Sequence, residues 1–281
     1  MQQVTVRVPG STSNLGPGFD CLGVALRLYN KITIERGGRS ASDGMIQSAA
    51  DAFFARARRK SFPFHCIITG DVPRSRGLGS SVTVRLGIIQ ALNELSGRPL
   101  ERQKLFEICT DLEGHPDNAA PAAFGGFNVV NGEQHQAFPV SSRLSFVLLI
   151  PDFELPTKEA RRLLPARIDR LHAVENCRNS AIITAGFALK DYNGLSGAFV
   201  DHLQQPFRKR LIPFLDRVIQ AAEEAGALGG FLSGSGSTIC AVTLRSPEKV
   251  ARAMLRSAKS RGARTLITLA DNHGSKTVRT R

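Results

Sequence analysis
Val4, Val6 and Val8 alternate with polar residues until Pro9-Gly10 ends the run. A period of two predicts an opening strand with one buried face, followed by a loop. A further extended stretch covers residues 24–34, and residues 45–60 read as helix. The apolar run 64–69, bounded by Pro63 and Gly70, has the length and flanks of a buried strand. Val82, Leu86, Ile89 and Leu92, with Ile88 and Leu95, then recur at helical spacing until Ser96-Gly97. That spacing predicts a helix over 80–95. Further helices are expected over 101–112, 175–189 and 211–225, with strands over 144–150 and 238–244. Residues 151–165 are rich in turn formers and charge, so a boundary falls near 140–145 and divides the chain into units 1–142 and 143–281.

Three glycine-rich segments sit at ends of these elements. Residues 11–20 are dense in Gly, Pro, Ser and Asn, in a loop following a strand, where binding residues concentrate. Residues 73–81, Pro-Arg-Ser-Arg-Gly-Leu-Gly-Ser-Ser, join the 64–69 strand to the 80–95 helix. Gly77 and Gly79 let backbone approach a ligand closely. Ser80 and Ser81 open the helix, where free N–H groups and the positive dipole end attract anions, so the segment fits phosphate binding. Taken alone, it also fits an ordinary capped helix after a turn. A Walker-type P-loop is excluded, since no lysine occurs between Lys60 and Lys104. The third segment, residues 229–237, follows the last of these helices.

The 281 residues suit two packed units, and 42% hydrophobic content supplies a core. No stretch is apolar for long enough to span a bilayer, and the first residues do not read as a secretory signal, so a soluble cytoplasmic protein without a membrane partner is expected. Five scattered cysteines, Cys21, Cys66, Cys109, Cys177 and Cys240, form no Cys-x-x-Cys pair and argue against a disulfide framework or zinc site. The net charge of +13 brings nucleic acid into view. Its basic clusters lack interleaved aromatics and no nucleic-acid module is recognisable, so no nucleic-acid partner is expected. Solvated basic faces, among them residues 161–170, that also attract a polyphosphate account for the charge.

In order, the chain carries Val-Arg-Val-Pro-Gly-Ser-Thr-Ser-Asn-Leu-Gly-Pro-Gly-Phe-Asp from Val6, Pro-x-x-x-Gly-Leu-Gly-Ser-Ser from Pro73 and Leu-Ser-Gly-Ser-Gly-Ser from Leu232. Together these resemble the GHMP kinases. Residues 13–23, the segment Glu113-Gly114-His115-Pro116-Asp117-Asn118 with Gly125-Gly126-Phe127 behind it, and Asp271-Asn272-His273-Gly274 resemble the homoserine kinase branch. The resemblance implies an α/β (α+β) two-domain GHMP fold: an ATP-binding half over 1–142 like ribosomal protein S5 domain 2, and a ferredoxin-like GHMP C-terminal half over 143–281. It implies transfer of the ATP γ-phosphoryl group to L-homoserine, with Mg2+ as cofactor. Homodimers are frequent in the family, although the sequence carries no interface signal.

By the same resemblance, the nucleotide is held by Pro73, Arg74, Ser75, Arg76, Gly77, Leu78, Gly79, Ser80, Ser81, Val82 and Thr83. Ser81 and Glu113 ligate magnesium and, with Asn118 holding the acceptor hydroxyl in line, form the catalytic set without a dedicated base. His115 before Pro116 reads equally as a turn-stabilising donor. Asn14, Asp20, Asn118, Arg178, Arg208 and Gly234 bind the amino acid. The chain departs from the family's Asn-x-x-Arg-Ala pattern: Asn176-Cys177-Arg178-Asn179-Ser180 puts Asn179 at the expected arginine and Arg178 one residue early, leaving Arg178 or Arg208 as the carboxylate clamp. Ser237 in the third motif, and Val82 and Arg85 after the serine pair, are further departures. These leave two alternatives open: a kinase for another small alcohol, and a non-catalytic paralogue that binds a nucleotide or polyanion.

Overall fold
A computed structural model describes residues 2–38 and 44–280, with the side chains of 279 and 280 left undescribed. The first unit comprises β1 (Gln3–Ser13), β2 (Leu22–Arg36), α1 (Gly44–Ala57), β3 (Phe64–Gly70), α2 (Ser80–Leu95), α3 (Arg102–Glu113), α4 (Ala119–Phe124), β4 (Phe127–Asn131) and β5 (Gln134–Phe138). Then follow β6 (Ser145–Ile150), α5 (Thr157–Arg162), α6 (Arg170–Leu189), α7 (Gln205–Arg208), α8 (Leu215–Glu224), β7 (Gly229–Leu232), β8 (Ile239–Thr243), α9 (Pro247–Ala258), β9 (Arg264–Leu269) and β10 (Lys276–Thr280).

The first sheet runs β10-β1-β2-β4-β5, with β3 also paired to β2, and every pairing is antiparallel. The alternation at Val4, Val6 and Val8 buries all three beside Ile32 and Ile34, under Phe53, Leu86, Ile89, Leu92 and Phe106 of α1, α2 and α3. The second sheet has the order β7-β8-β6-β9. With α8 after β6 and α9 after β8 it is the βαββαβ, ferredoxin-like arrangement. Val147, Leu149, Ile239 and Ala241 face Leu215, Val218, Val250 and Met254 of the two helices. Leu148, Phe146 and Phe231 face the other way, joining Leu26, Phe127 and Phe187 in a core between the sheets. Residues 211–214, expected as helix, precede α8 because Lys209–Leu211 close a 3-10 turn.

The closing segment does not stay with the second sheet, because β10 pairs with β1. On the way, Asp271 Oδ1 accepts from the amides of His273 and Gly274 at 2.7 and 2.8 Å, and Ser275 N donates to Ala122 O. A Cβ on Gly274, whose φ is +70°, would meet Ala123 O at 2.2 Å. Only glycine lets this turn brace α4, and α4 carries Asn118 at its start.

Candidate active site
Loops far apart in sequence converge where α2 begins. Gly77 (φ +71°) has no room for a Cβ, which would lie 2.0 Å from Ser233 O. Ser233 Oγ donates to Gly77 O at 2.6 Å and shares a hydrogen bond with Thr12 Oγ1 at 2.8 Å. Gly234 N donates to Ser13 O, and Thr238 N to Arg76 O. All three glycine segments therefore close on one another around a cleft of about 480 Å³.

At one end, Gly79 in the left-handed conformation starts α2 with no side chain capping it, so its first amides are left for a ligand. Arg74, Ser75, Arg76, Gly77, Gly79, Ser80, Ser81 and Val82 line the cleft, and Met45, Ile68 and Val84 give it an apolar recess. Three residues expected with them do not. Leu78 is buried in the core between the sheets. Thr83 Oγ1 donates to Ser80 O and accepts from Asn30 Nδ2, so it is spent inside the fold. Pro73 does not line the cleft.

Ser81 Oγ donates to Glu113 Oε2 at 2.9 Å. Two hard oxygen donors beside an anion-attracting helix start fit magnesium, which draws its remaining ligands from phosphate and water. Among the described residues no cluster of three or more His, Cys, Asp or Glu could hold a metal, so the pair fits an ion carried in with a nucleotide.

Asn118 lies at the junction. Its Nδ2 donates to Ser13 Oγ and its Oδ1 accepts from Ser11 Oγ, both at 2.8 Å. The same Oδ1 lies 3.2 Å from where a Cβ of Gly79 would be. Next to it, Asp117 is buried and faces His115 Nδ1 at 3.1 Å. Burial alone would raise the Asp117 carboxyl, but its hydrogen bond and charge contact with His115 hold it below the ordinary carboxylate range. Burial likewise pulls His115 down, and the Asp117 partner overrides this and lifts it above an ordinary histidine.

The other end is zwitterionic. Arg161 forks onto Asp20, with Nη1 on Oδ2 at 3.0 Å and Nη2 on Oδ1 at 2.7 Å. Arg208 is 1% exposed. Its donors go to Gly234 O at 3.0 Å, Ala160 O and Gln204 Oε1, and it has no carboxylate partner among the described residues. Burial, with repulsion from Arg161, lowers it to about 10. Each guanidinium lies 5.3 Å from the centre of the Phe19 ring. Asn14 Nδ2 donates to Gly234 O at 3.0 Å, and its Oδ1 accepts from Asp20 N.

Asn14, Asp20, Asn118, Arg208 and Gly234 thus come together as expected, and Arg178 does not. Asp169 caps α6 through Leu171 N, so the helix start is not displaced and Arg178 points into solvent. Asn179 Nδ2 donates to Val200 O instead of reaching the cleft. The second guanidinium is Arg161, hidden in sequence among basic residues read as a solvated face. Asp117 stood in a quoted motif without a role.

Two family profiles match: GHMP kinases N terminal domain over residues 44–126 and GHMP kinases C terminal over 186–260. The homoserine kinase of Moorella thermoacetica is 38% identical over 290 residues, covering 96% of this chain and 98% of its own. The chain belongs to the homoserine kinase family of GHMP kinases. The Synechocystis sp. homoserine kinase is 37% identical, covering 88% and 89%. Among solved structures, homoserine kinase from Cytophaga hutchinsonii superposes with a TM-score of 0.89 at 27% identity, covering 98% of this chain and 97% of that one. A mevalonate kinase at 15% identity and TM-score 0.71, covering 96% and 99%, shares the fold. This GHMP kinase has no described helix long and apolar enough to cross a membrane.

Proposed function
We propose that this chain transfers the γ-phosphoryl group of ATP to the side-chain hydroxyl of L-homoserine, giving O-phospho-L-homoserine for threonine synthesis. The observation that carries the reading is the buried, carboxylate-free Arg208 beside the Arg161–Asp20 fork, one end of a cleft whose other end is the α2 start. A small zwitterion matches that end: its carboxylate meets Arg208 and Arg161, its ammonium meets Asp20 and Asp117, and its hydroxyl points past Asn118 towards the glycine loop.

Backbone amides of Gly77 to Ser81, with Arg74 and Arg76 nearby, cradle the triphosphate, and the recess at Met45, Ile68 and Val84 takes the base. Ser81 and Glu113 hold magnesium, which when bound offsets charge on the phosphoryl oxygens. Asp117, kept ionised below its ordinary range, is a poor proton acceptor, so positioning dominates over base catalysis. With Asn179 outside the cleft, that departure offers no contact through which a different acceptor would be chosen. Cytoplasmic placement accompanies this reading, in keeping with five cysteines scattered along the chain without a Cys-x-x-Cys pair. A homodimer accompanies it too, and the exposed Leu171, Val174, Ile182 and Leu189 of α6 support that assembly. Light scattering of the purified chain tests it, a monomeric mass being the adverse result.

The deciding experiment is ADP release with magnesium ATP, comparing L-homoserine with no acceptor, L-serine, L-threonine and mevalonate, with 31P NMR of the product. Homoserine-dependent turnover and a phosphomonoester signal are expected. Equal turnover with another alcohol, or ATP binding without turnover, overturns the assignment.

A further inference from the structure
The Ser81–Glu113 pair has a third member outside the machinery described so far. Arg85 stands four residues after Ser81 on α2 and therefore on the same face of the helix. Its Nη1 donates to Glu113 Oε1 at 2.7 Å and to Leu112 O at 2.7 Å. Ser81 Oγ takes the other carboxylate oxygen, Oε2, at 2.9 Å. The Glu113 side chain is 8% exposed and that of Arg85 20%. Arg85 Nε is buried without a hydrogen-bond partner, so the guanidinium is not placed there to satisfy its own donors.

A buried carboxylate without a counter-charge is costly, and Arg85 supplies that charge before any metal arrives. The division of oxygens is the consequential point. Oε1 is taken by a permanent cation, and Oε2 is shared only with the Ser81 hydroxyl, the other proposed metal ligand. We propose that Arg85 is a positioning residue of the metal site, a resident cation that fixes Glu113 as a one-oxygen ligand and weakens divalent-metal binding by repulsion. This rests on reading Ser81 and Glu113 as the metal ligands. Two cations on opposite oxygens of one carboxylate repel, and for a divalent ion even the dielectric constant of water leaves a penalty on the order of tenfold in affinity.

Manganese serves as the probe, titrated by electron paramagnetic resonance into the full chain saturated with ADP, so that no turnover is read. Arg85→Met keeps much of the bulk and removes the charge; it should bind Mn2+ about tenfold more tightly than wild type. Arg85→Lys restores the charge and should return affinity to within about threefold of wild type. Arg85→Gln, which keeps a donor for Leu112 O, should tighten binding as the Met variant does and covers the case in which that variant fails to fold. Unchanged or weaker Mn2+ binding by folded neutral variants would overturn the proposal. A Glu113→Gln variant with wild-type Mn2+ affinity would instead sink the metal-site reading, and the role of Arg85 with it.

Discussion
Arg161 and Asp20 are 141 residues apart in sequence and share two hydrogen bonds, at 3.0 and 2.7 Å, so α5 is tied across the cleft to the loop that follows β1. On the proposed reading, an amino acid entering this end offers each partner a replacement: a carboxylate for Arg161 and an ammonium for Asp20. Arg161→Ala should raise the homoserine KM by about tenfold or more, because one charged contact is lost at a partly desolvated site. Arg178→Ala, altered on an exposed face of α6, should leave KM within about twofold. Steady-state kinetics on both variants tests this, and the reverse order would return the clamp to α6.

Arg208→Met removes the one fully buried cation among the described residues of the cleft. Loss of its contact to a buried substrate carboxylate is worth roughly 2–4 kcal/mol, about thirtyfold to a thousandfold in kcat/KM. The free protein should not be strongly destabilised, since this guanidinium is desolvated without an ion-pair partner. Kinetics and a thermal melt on one preparation separate the two effects, and a large fall in Tm with little change in KM would make Arg208 structural.

The sequence made α2 legible over 80–95, because apolar spacing, a preceding glycine turn and a terminal Ser-Gly all agree there. It also disclosed the three glycine segments and most residues that meet in the cleft. Arg161 was hidden for a physical reason: its partner lies on a loop of the other unit, and no local periodicity records a contact made by packing α5 over that loop. The segment 151–165 had read as turns, and α5 is only six residues long. Arg178 was misplaced because a linear pattern cannot say which face of α6 is covered.

Gly77→Ala should disrupt the meeting of the loops. The added Cβ would lie 2.0 Å from a backbone carbonyl at a φ of +71°. Strain of this kind costs about 2–3 kcal/mol and should lower Tm by roughly 5 °C or more. Nucleotide affinity, read by calorimetry with ADP, should fall with it; unaltered Tm and affinity would mean that the loop has another conformation available.

The His115–Asp117 pair gives a pH signature with a definite sign. His115 is raised from 6.5, so what it adds to stability is full below that value and fades as pH climbs through the folded-state pKa. Asp117 is lowered from 3.8, so its share is full above that value and fades only in stronger acid. Wild type should therefore exceed His115→Gln in Tm most clearly between about pH 4 and 6.5, with the gap narrowing towards pH 8. A gap that stays constant across this range would show that the two groups do not titrate as a pair.

The return of β10 to β1 joins the last residues of the described chain to its first strand. A ribosome delivers residues 2–138 long before Lys276–Thr280 exist, so the nascent first sheet must wait with the β1 edge open. An unpaired strand edge is a template for wrong partners, and pairing over so long a loop is slow. Completion of the first sheet must thus wait until Lys276–Thr280 have been made, and α4, with Asn118 at its head, receives its brace only when residues 271–275 have emerged.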